Sequence, residues 1–318
     1  MNTKFLKQAF TLFLCSLCFA GMALWRVSSQ ESRNYGGEPV FAQTLQNLDN
    51  IGRLTIETPS ETVNLQIEDN LWRVMEIGNY YAGYRQINNL FNTFADARIY
   101  RRLEQINAAD EQKFGLDNHA FRIITRNNDG QILNSVLVGK AADGNLYHFA
   151  RLEGENDVFL ITGNFNFPQT AVSWLQQPLL SLPSADIRSL KIGAETAVRS
   201  NTVVPFKIKG NQAVSDVHGY LNALGFIAAY DVKRQADFDY SLFSAPKSLT
   251  VTTFDGLVVT LEIYYRPDNE YWALFKFSTT TLPTAAVNDY IKSNAFLYED
   301  WYFKLNPDTG RILFNAFI

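Results

Sequence analysis

The side chains able to do acid–base, metal or nucleophilic chemistry are few in this chain, and they are scattered. There are three histidines, His119, His148 and His218, and no two have the spacing that puts two imidazoles on one helix or strand face for zinc or iron. Ser215, Asp216 and His218 lie within four residues, too close for a triad, whose three side chains converge from separate elements. Asp216 reads as favourable charge near a helix start and His218 as a boundary residue. The acidic pairs Glu68-Asp69, Asp110-Glu111 and Glu299-Asp300 fall in turns or helix starts, where a glycosidase pair would have to be assembled in three dimensions. Neither a Walker sequence nor G-x-G-x-x-G occurs. These readings name no catalytic residue, cofactor site or metal site, and the expectation is a protein that is not an enzyme.

Aromatic residues are the other candidate for chemistry. The chain holds 15 Tyr and 24 Phe, and Tyr264, Tyr271 and Trp272 fall in strand-like runs. An exposed aromatic face there would be a stacking platform for glycan or peptide, or a partner face; packing within the core is the competing reading.

The elements that must position such residues are mostly strands and a few helices. Hydrophobic residues make up 47 %, charged residues 19 %, and the net charge is −4. That composition describes a globular chain without an electrostatic footprint for nucleic acid. A seventeen-residue uncharged run, Ala9 to Trp25, follows Lys4 and Lys7. It predicts one membrane helix at about residues 8–26, or a cleaved signal peptide, with the N-terminus inside and the body exported. In a bacterium this puts the body in the periplasm or on the outer face of a single-pass inner-membrane protein. Cys15 and Cys18, the only cysteines, lie inside the run, so the body must be stable without disulfides. Residues 27–50 read as a polar tether.

The body reads as α+β, a tandem repeat of two similar modules at 51–183 and 184–318, each an antiparallel sheet with one main packed helix. In the first, the pattern predicts a hairpin from Leu54 to Val74 that turns at Glu68-Asp69-Asn70 and carries Trp72. A helix over 83–99 follows, with Ile87, Leu90, Phe91 and Phe94 on one stripe, then a short helix ending at Phe114. Strands come next at 121–125, 132–138, 146–151 and 158–161, and then an amphipathic stretch at 171–180 containing Trp174. In the second module, Ile187–Ile192 repeats the pattern of Ile51–Ile56. Strands are predicted at 204–209, 249–253, 257–265 and 271–277, helices at 214–228 and 285–296, and a closing hairpin of 301–305 with 311–317.

On these residues the chain resembles the family known as domain of unknown function 4340. The matching features are the opening I-x-x-L-x-I strand, the acidic turn before Trp72, and Phe114-Gly115-Leu116-Asp117 as a "Y/F-G-L-D" step. Val138-Gly139 ends an "L-x-L-G" motif, and Leu146 to Arg151 is similar to a "Y-Y-V-R" strand. Trp174, Leu179-Leu180 and Asp186-Ile187 resemble a "W-x-x-x-x-L-L…D-I" passage. The likeness covers most of residues 51–192; the second half is looser, with Pro205-Phe206 where a turn and Trp are expected. Trp72, Phe114, Gly115, Leu116, Asp117 and Trp174 read first as structural. The resemblance implies a bacterial, N-terminally anchored, exported protein associated with transport systems of the ATP-binding-cassette type, gliding-type systems included. It carries no catalytic residue. The expected function is that of a membrane-tethered accessory or scaffold acting by binding, with a permease or other envelope component as partner. The alternative is a ligand-binding module for envelope glycan or peptide, and the third reading an envelope hydrolase.

Overall fold

The structure is a computed structural model that describes residues 37–103, 108–142, 144, 146–208 and 217–315. The predicted membrane helix, the start of the tether, Ser215-Asp216 and the last residues of the predicted closing hairpin lie outside the described residues. No described helix is long and apolar enough to cross a membrane. The chain is α+β and divides into two compact units, residues 1–174 and 175–318, each built on one antiparallel sheet.

Among the described residues the first unit has nine strands: β1 (Ile51–Glu57), β2 (Thr62–Glu68), β3 (Leu71–Val74), β4 (Tyr80–Tyr81), β5 (Ile99–Leu103), β6 (Phe121–Asn127), β7 (Ile132–Ala142), β8 (Tyr147–Leu152) and β9 (Val158–Ile161). Their order is β4-β3-β2-β1-β6-β7-β8-β9-β5. Successive strand residues point to opposite faces. The pairs Leu54–Leu65, Ile56–Val63, Leu65–Val74 and Ile67–Trp72 therefore share one apolar face. The β2–β3 turn places Asp69 and Asn70 at positive φ, as a two-residue hairpin requires.

Three helices accompany this sheet: α1 (Ala42–Gln46), α2 (Tyr84–Asp96) and α3 (Ala108–Phe114). The stripe of α2 buries Ile87, Leu90 and Phe94, and Phe91 lies 5.9 Å from the Trp72 ring. The sequence pattern extends this helix to residue 99, but it stops at Asp96. Ala97 is extended, and the backbone of Arg98 and Ile99 is taken up by Thr162 and Glu38. The chain from Pro39 on is no tether. Val40, Phe41 and Thr44 are buried, Phe41 stacks on Phe94 at 4.2 Å, and the Thr44 hydroxyl bonds Thr125 and Asn134. The amphipathic stretch predicted at 171–180 holds only one short 3-10 turn, Ala171–Trp174. Pro178, which has no N–H to donate, follows close behind.

Among the described residues the second unit has eight strands: β10 (Ile187–Ile192), β11 (Glu195–Val198), β12 (Lys207–Ile208), β13 (Ala229–Arg234), β14 (Lys247–Thr253), β15 (Leu257–Arg266), β16 (Glu270–Thr279) and β17 (Trp301–Leu305). Three helices go with them: α4 (Val217–Gly225), α5 (Ala285–Asn294) and α6 (Pro307–Phe314). The predicted closing hairpin is β17 followed by α6. Asn306 accepts from the N–H groups of Asp308 and Thr309, and Pro307 occupies the first turn, a strong helix start. Of the predicted strand at 204–209, residue 209 lies outside the described residues and the rest forms only Lys207–Ile208; the sequence pattern marks neither β11 nor β13.

Leaving aside the edge pair Tyr80–Tyr81, the two strand orders coincide. They run β3-β2-β1-β6-β7-β8-β9-β5 and β12-β11-β10-β14-β15-β16-β17-β13. Irregularities recur as well. The register slips by one between Ile51 and Arg53 and between Ile187 and Ser189, each time opposite the equivalent partner strand. At those points Asn128 donates to the Asn50 carbonyl and Phe254 to the Asp186 carbonyl, both at 2.9 Å. The edge strands β5 and β13 also slip alike, at Tyr100 and Tyr230, which are 51 % and 54 % exposed. Bulges of this kind blunt a sheet edge against pairing with other chains.

Gly139 in β7 tests how tightly α3 is seated. A Cβ there would lie 2.4 Å from the Phe114 carbonyl oxygen, whereas one on Gly130 would meet nothing, although Gly130 sits at φ +81°. Gly139→Ala is expected to destabilise the first unit by about 2–3 kcal/mol, and Gly130→Ala by about 1 kcal/mol. Urea denaturation compares the two, and equal losses would contradict this packing.

Candidate functional site

The family-type motif residues are structural joints. Phe114 ends α3 and stacks on Phe149 at 4.3 Å, and Leu116 is buried. Gly115 takes φ +65°, a value that suits glycine, as the chain turns back toward the sheet. The Asp117 carboxylate accepts from the His119 backbone N–H at 3.2 Å and lies 3.0 Å from its Nδ1. Trp174 is fully buried; its indole donates to the Pro168 carbonyl at 3.1 Å, and its own carbonyl accepts from Gly83 at the start of α2.

Tyr264, Tyr271 and Trp272 do not form an exposed aromatic face. They are 7, 5 and 1 % exposed. They do not share a face either, because neighbours in a strand alternate. Tyr271 points toward α6, where Gly310 leaves room for it and Phe314 packs near its ring. Tyr264 and Trp272, paired across β15 and β16, lie on the other face under the segment that follows β13. Phe238 from that segment stacks on Tyr302 at 4.1 Å and meets Trp272 edge-on. The Trp272 indole donates to Glu270, which also pairs with Lys304 at 2.9 Å. Covering an eight-stranded sheet on both faces is what buries these rings.

Two surface features remain as candidate sites, one in each unit. In the first unit a cleft of about 320 Å³ is lined by Gln86, Asn89, Asn166, Phe167, Pro168 and Ser173. A second hollow of about 170 Å³ shares its Phe167–Pro168 wall and reaches Thr58, His119, Phe121 and Gln169. Gln86 and Asn89 stand three residues apart on α2, hence on one helix face. The opposite wall is the irregular segment after β9, tied down at four points. Asn164 O accepts from Thr93 Oγ1 at 2.8 Å, Pro168 O from Trp174, and the Ala171 N–H donates to Glu61; Trp174 itself bonds Gly83. The two walls are thus stitched together, and the cleft is preorganised. No sequence motif marks it, because carboxamides on a helix and in a loop carry no spacing signature.

In the second unit, loops meet at one end of the sheet around Arg199. Its guanidinium donates to the carbonyls of Ile187 (2.8 Å), Ala185 (3.1 Å), Thr202 (3.3 Å) and Ser184. The rings of Phe206 and Phe254 stand 4.6 and 5.6 Å from it. The neighbouring turn at Gly256 touches Pro283, and the Thr280 and Thr284 N–H groups donate to Gly256 and Asp255. This framework leaves apolar side chains in solvent: Val203 is 88 % and Leu282 89 % exposed, and Phe254 is partly exposed.

Among the described residues no group of three or more His, Cys, Asp or Glu is placed to hold a metal ion. His119 and His218 are exposed, and His148 is half-buried against Phe165 with Nδ1 lacking a hydrogen-bond partner. Burial pushes the His148 imidazole below its ordinary range. The unfolded chain therefore binds this proton more readily than the folded one, and stability is lost as pH falls below the ordinary value of about 6.5. The melting temperature of the first unit is expected to decline between about pH 7.5 and 5.5, and His148→Phe to remove part of that slope. An unchanged slope in the variant would show that other groups cause it.

No curated protein matches the chain, and no solved structure does. The family described as Domain of unknown function (DUF4340) matches residues 72–258, which span both units and take in Trp72, the Phe114–Asp117 step and Trp174. The chain belongs to the DUF4340 family.

Proposed function

We propose that this chain is a membrane-tethered, extracytoplasmic accessory protein that acts by binding, within a transport assembly of the ATP-binding-cassette type or another assembly of the bacterial envelope. The apolar run behind Lys4 and Lys7 supports the tether and its orientation. The transport association comes from the family resemblance. The coincident strand orders and bulges support a tandem duplication of one module, which gives an exported body two broad sheets without disulfides.

The observation that carries the binding role is the loop end of the second unit. Aliphatic side chains as exposed as Val203 and Leu282 contribute nothing to their own core. Held up by a buried arginine, they suit an apolar contact with a protein partner. A second reading, a module for an uncharged envelope ligand, is favoured by the amide-lined cleft, whose volume reaches the lower end of the range of small-molecule sites.

Pull-down of the tagged full chain from detergent-solubilised membranes is expected to recover an envelope partner. The double substitution Val203→Asp/Leu282→Asp should lower that recovery by about tenfold or more, in keeping with loss of a central apolar contact, at an unchanged melting temperature. Undiminished recovery with the variant would overturn this surface as the contact. A phosphatase fused after residue 60 is expected to be active, and an active cytoplasmic reporter at the same place would reverse the topology.

A further inference from the structure

We infer that the cleft of the first unit binds an uncharged oligosaccharide, one sugar in the larger chamber and the next against the shared Phe167–Pro168 wall. This rests on the second reading above, that the protein takes an envelope ligand. Charge is the first argument. Among the described residues no Asp, Glu, Lys or Arg lines either chamber, and the one titratable residue among them, His119, faces the Asp117 carboxylate. An ionic ligand would give up its hydration for walls that offer no counter-charge, so the site selects neutral molecules.

Hydrogen-bonding chemistry is the second. Gln86, Asn89 and Asn166 each present a carboxamide, which donates and accepts at once, as a sugar hydroxyl does. Half-buried Pro168, with the little of the Phe167 ring that stays exposed, supplies a small apolar surface between the two hollows, suited to the C–H face of a pyranose ring. A peptide is served less well. Peptide recognition by strand addition needs free backbone groups along an edge. Here three of the loop's backbone donors are engaged within the loop itself: Asn166 N–H by Asn164 Oδ1, Phe167 N–H by the Phe165 carbonyl, and Ser173 N–H by the Thr170 carbonyl. What the cleft turns outward is side-chain amide.

Rigidity is the third. The wall is fixed to α2 through Thr93, Trp174 and Gly83, so little ordering remains to be done on binding.

The test is calorimetric titration of the full chain in a detergent without a sugar headgroup. The probes are tetramers of N-acetylglucosamine and of glucose, tetragalacturonate as an anion, and tetra-alanine capped at both ends. Saturable binding of a neutral tetrasaccharide is expected, with neither tetragalacturonate nor the capped peptide bound. Asn89→Ala combined with Asn166→Ala changes two exposed side chains and should weaken binding about tenfold, the loss of one or two hydrogen bonds, at an unchanged melting temperature. Three results would overturn the inference. They are no binding of either neutral sugar up to about 10 mM, sugar binding indifferent to the double substitution, and preference for the peptide or the anion. Partner recovery with no sugar binding would remove this inference and leave the accessory role standing; sugar binding with no partner would do the reverse.

Discussion

Each sheet is two groups of strands held together by one ladder. β4-β3-β2-β1 and β6-β7-β8-β9-β5 meet only where Ile51–Glu57 lies against Phe121–Asn127, and the second unit joins its halves in the same way through Ile187–Ile192 and Lys247–Thr253. No tight turn enforces this pairing, since the partners are far apart in sequence. Register comes instead from the apolar faces, Leu54 and Ile56 against Thr125 and Ile123, Leu190 and Ile192 against Val251 and Leu249. The bulge at the start of each ladder, fixed by a backbone bond to the residue before β1 or β10, stops the strands from slipping further. The helices over one face of each sheet and the segment over the other are placed by this arrangement.

Because both faces of these sheets carry apolar rings, both need cover. In the first unit α3 and Phe114 close over Phe149 on β8, and in the second the chain after β13 closes over Trp272 and Tyr302 with Phe238. The two segments occupy the same place in the chain, between equivalent strands, though they share neither length nor helix type. The Phe-Gly-Leu-Asp step is best understood in these terms: Gly115 and Gly139 let two backbones come within contact distance so that a ring can be seated.

Much of this was legible in the sequence. The stripe Ile87, Leu90, Phe94 gave α2, alternation gave β6 to β9 and β14 to β16, and Glu68-Asp69-Asn70 gave its hairpin, because each pattern is local. The edge strands β5 and β13, reading IYRRL and AYDVKR, escaped because edge positions are charged and bulged, which erases period two. Helix α6 was mistaken for a strand because its start depends on one Asn cap and a proline more than on apolar spacing. The burial of Tyr264, Tyr271 and Trp272 was beyond reach for another reason. Their cover comes from Phe238 and from α6, and no sequence window contains both ring and lid. The cleft was invisible likewise, since its two walls, α2 and the segment after β9, lie far apart in the chain and are joined by bonds from Thr93 and Trp174 that no local pattern marks.

Arg199 gives the loop end of the second unit an uncommon kind of joint. Its partners among the described residues are carbonyl dipoles and ring faces, with no carboxylate. A guanidinium offers five N–H donors in a planar fork, enough to serve several carbonyls at once. Buried as it is, it is also sheltered from dissolved ions. A lysine could not stand in for it, because a single ammonium cannot span carbonyls from both Ile187 and Thr202 while lying flat between two phenyl rings. The backbone segments at the end of the sheet beside Val203 thus share a single side chain as their common anchor, so that one residue sets the course of several turns at once.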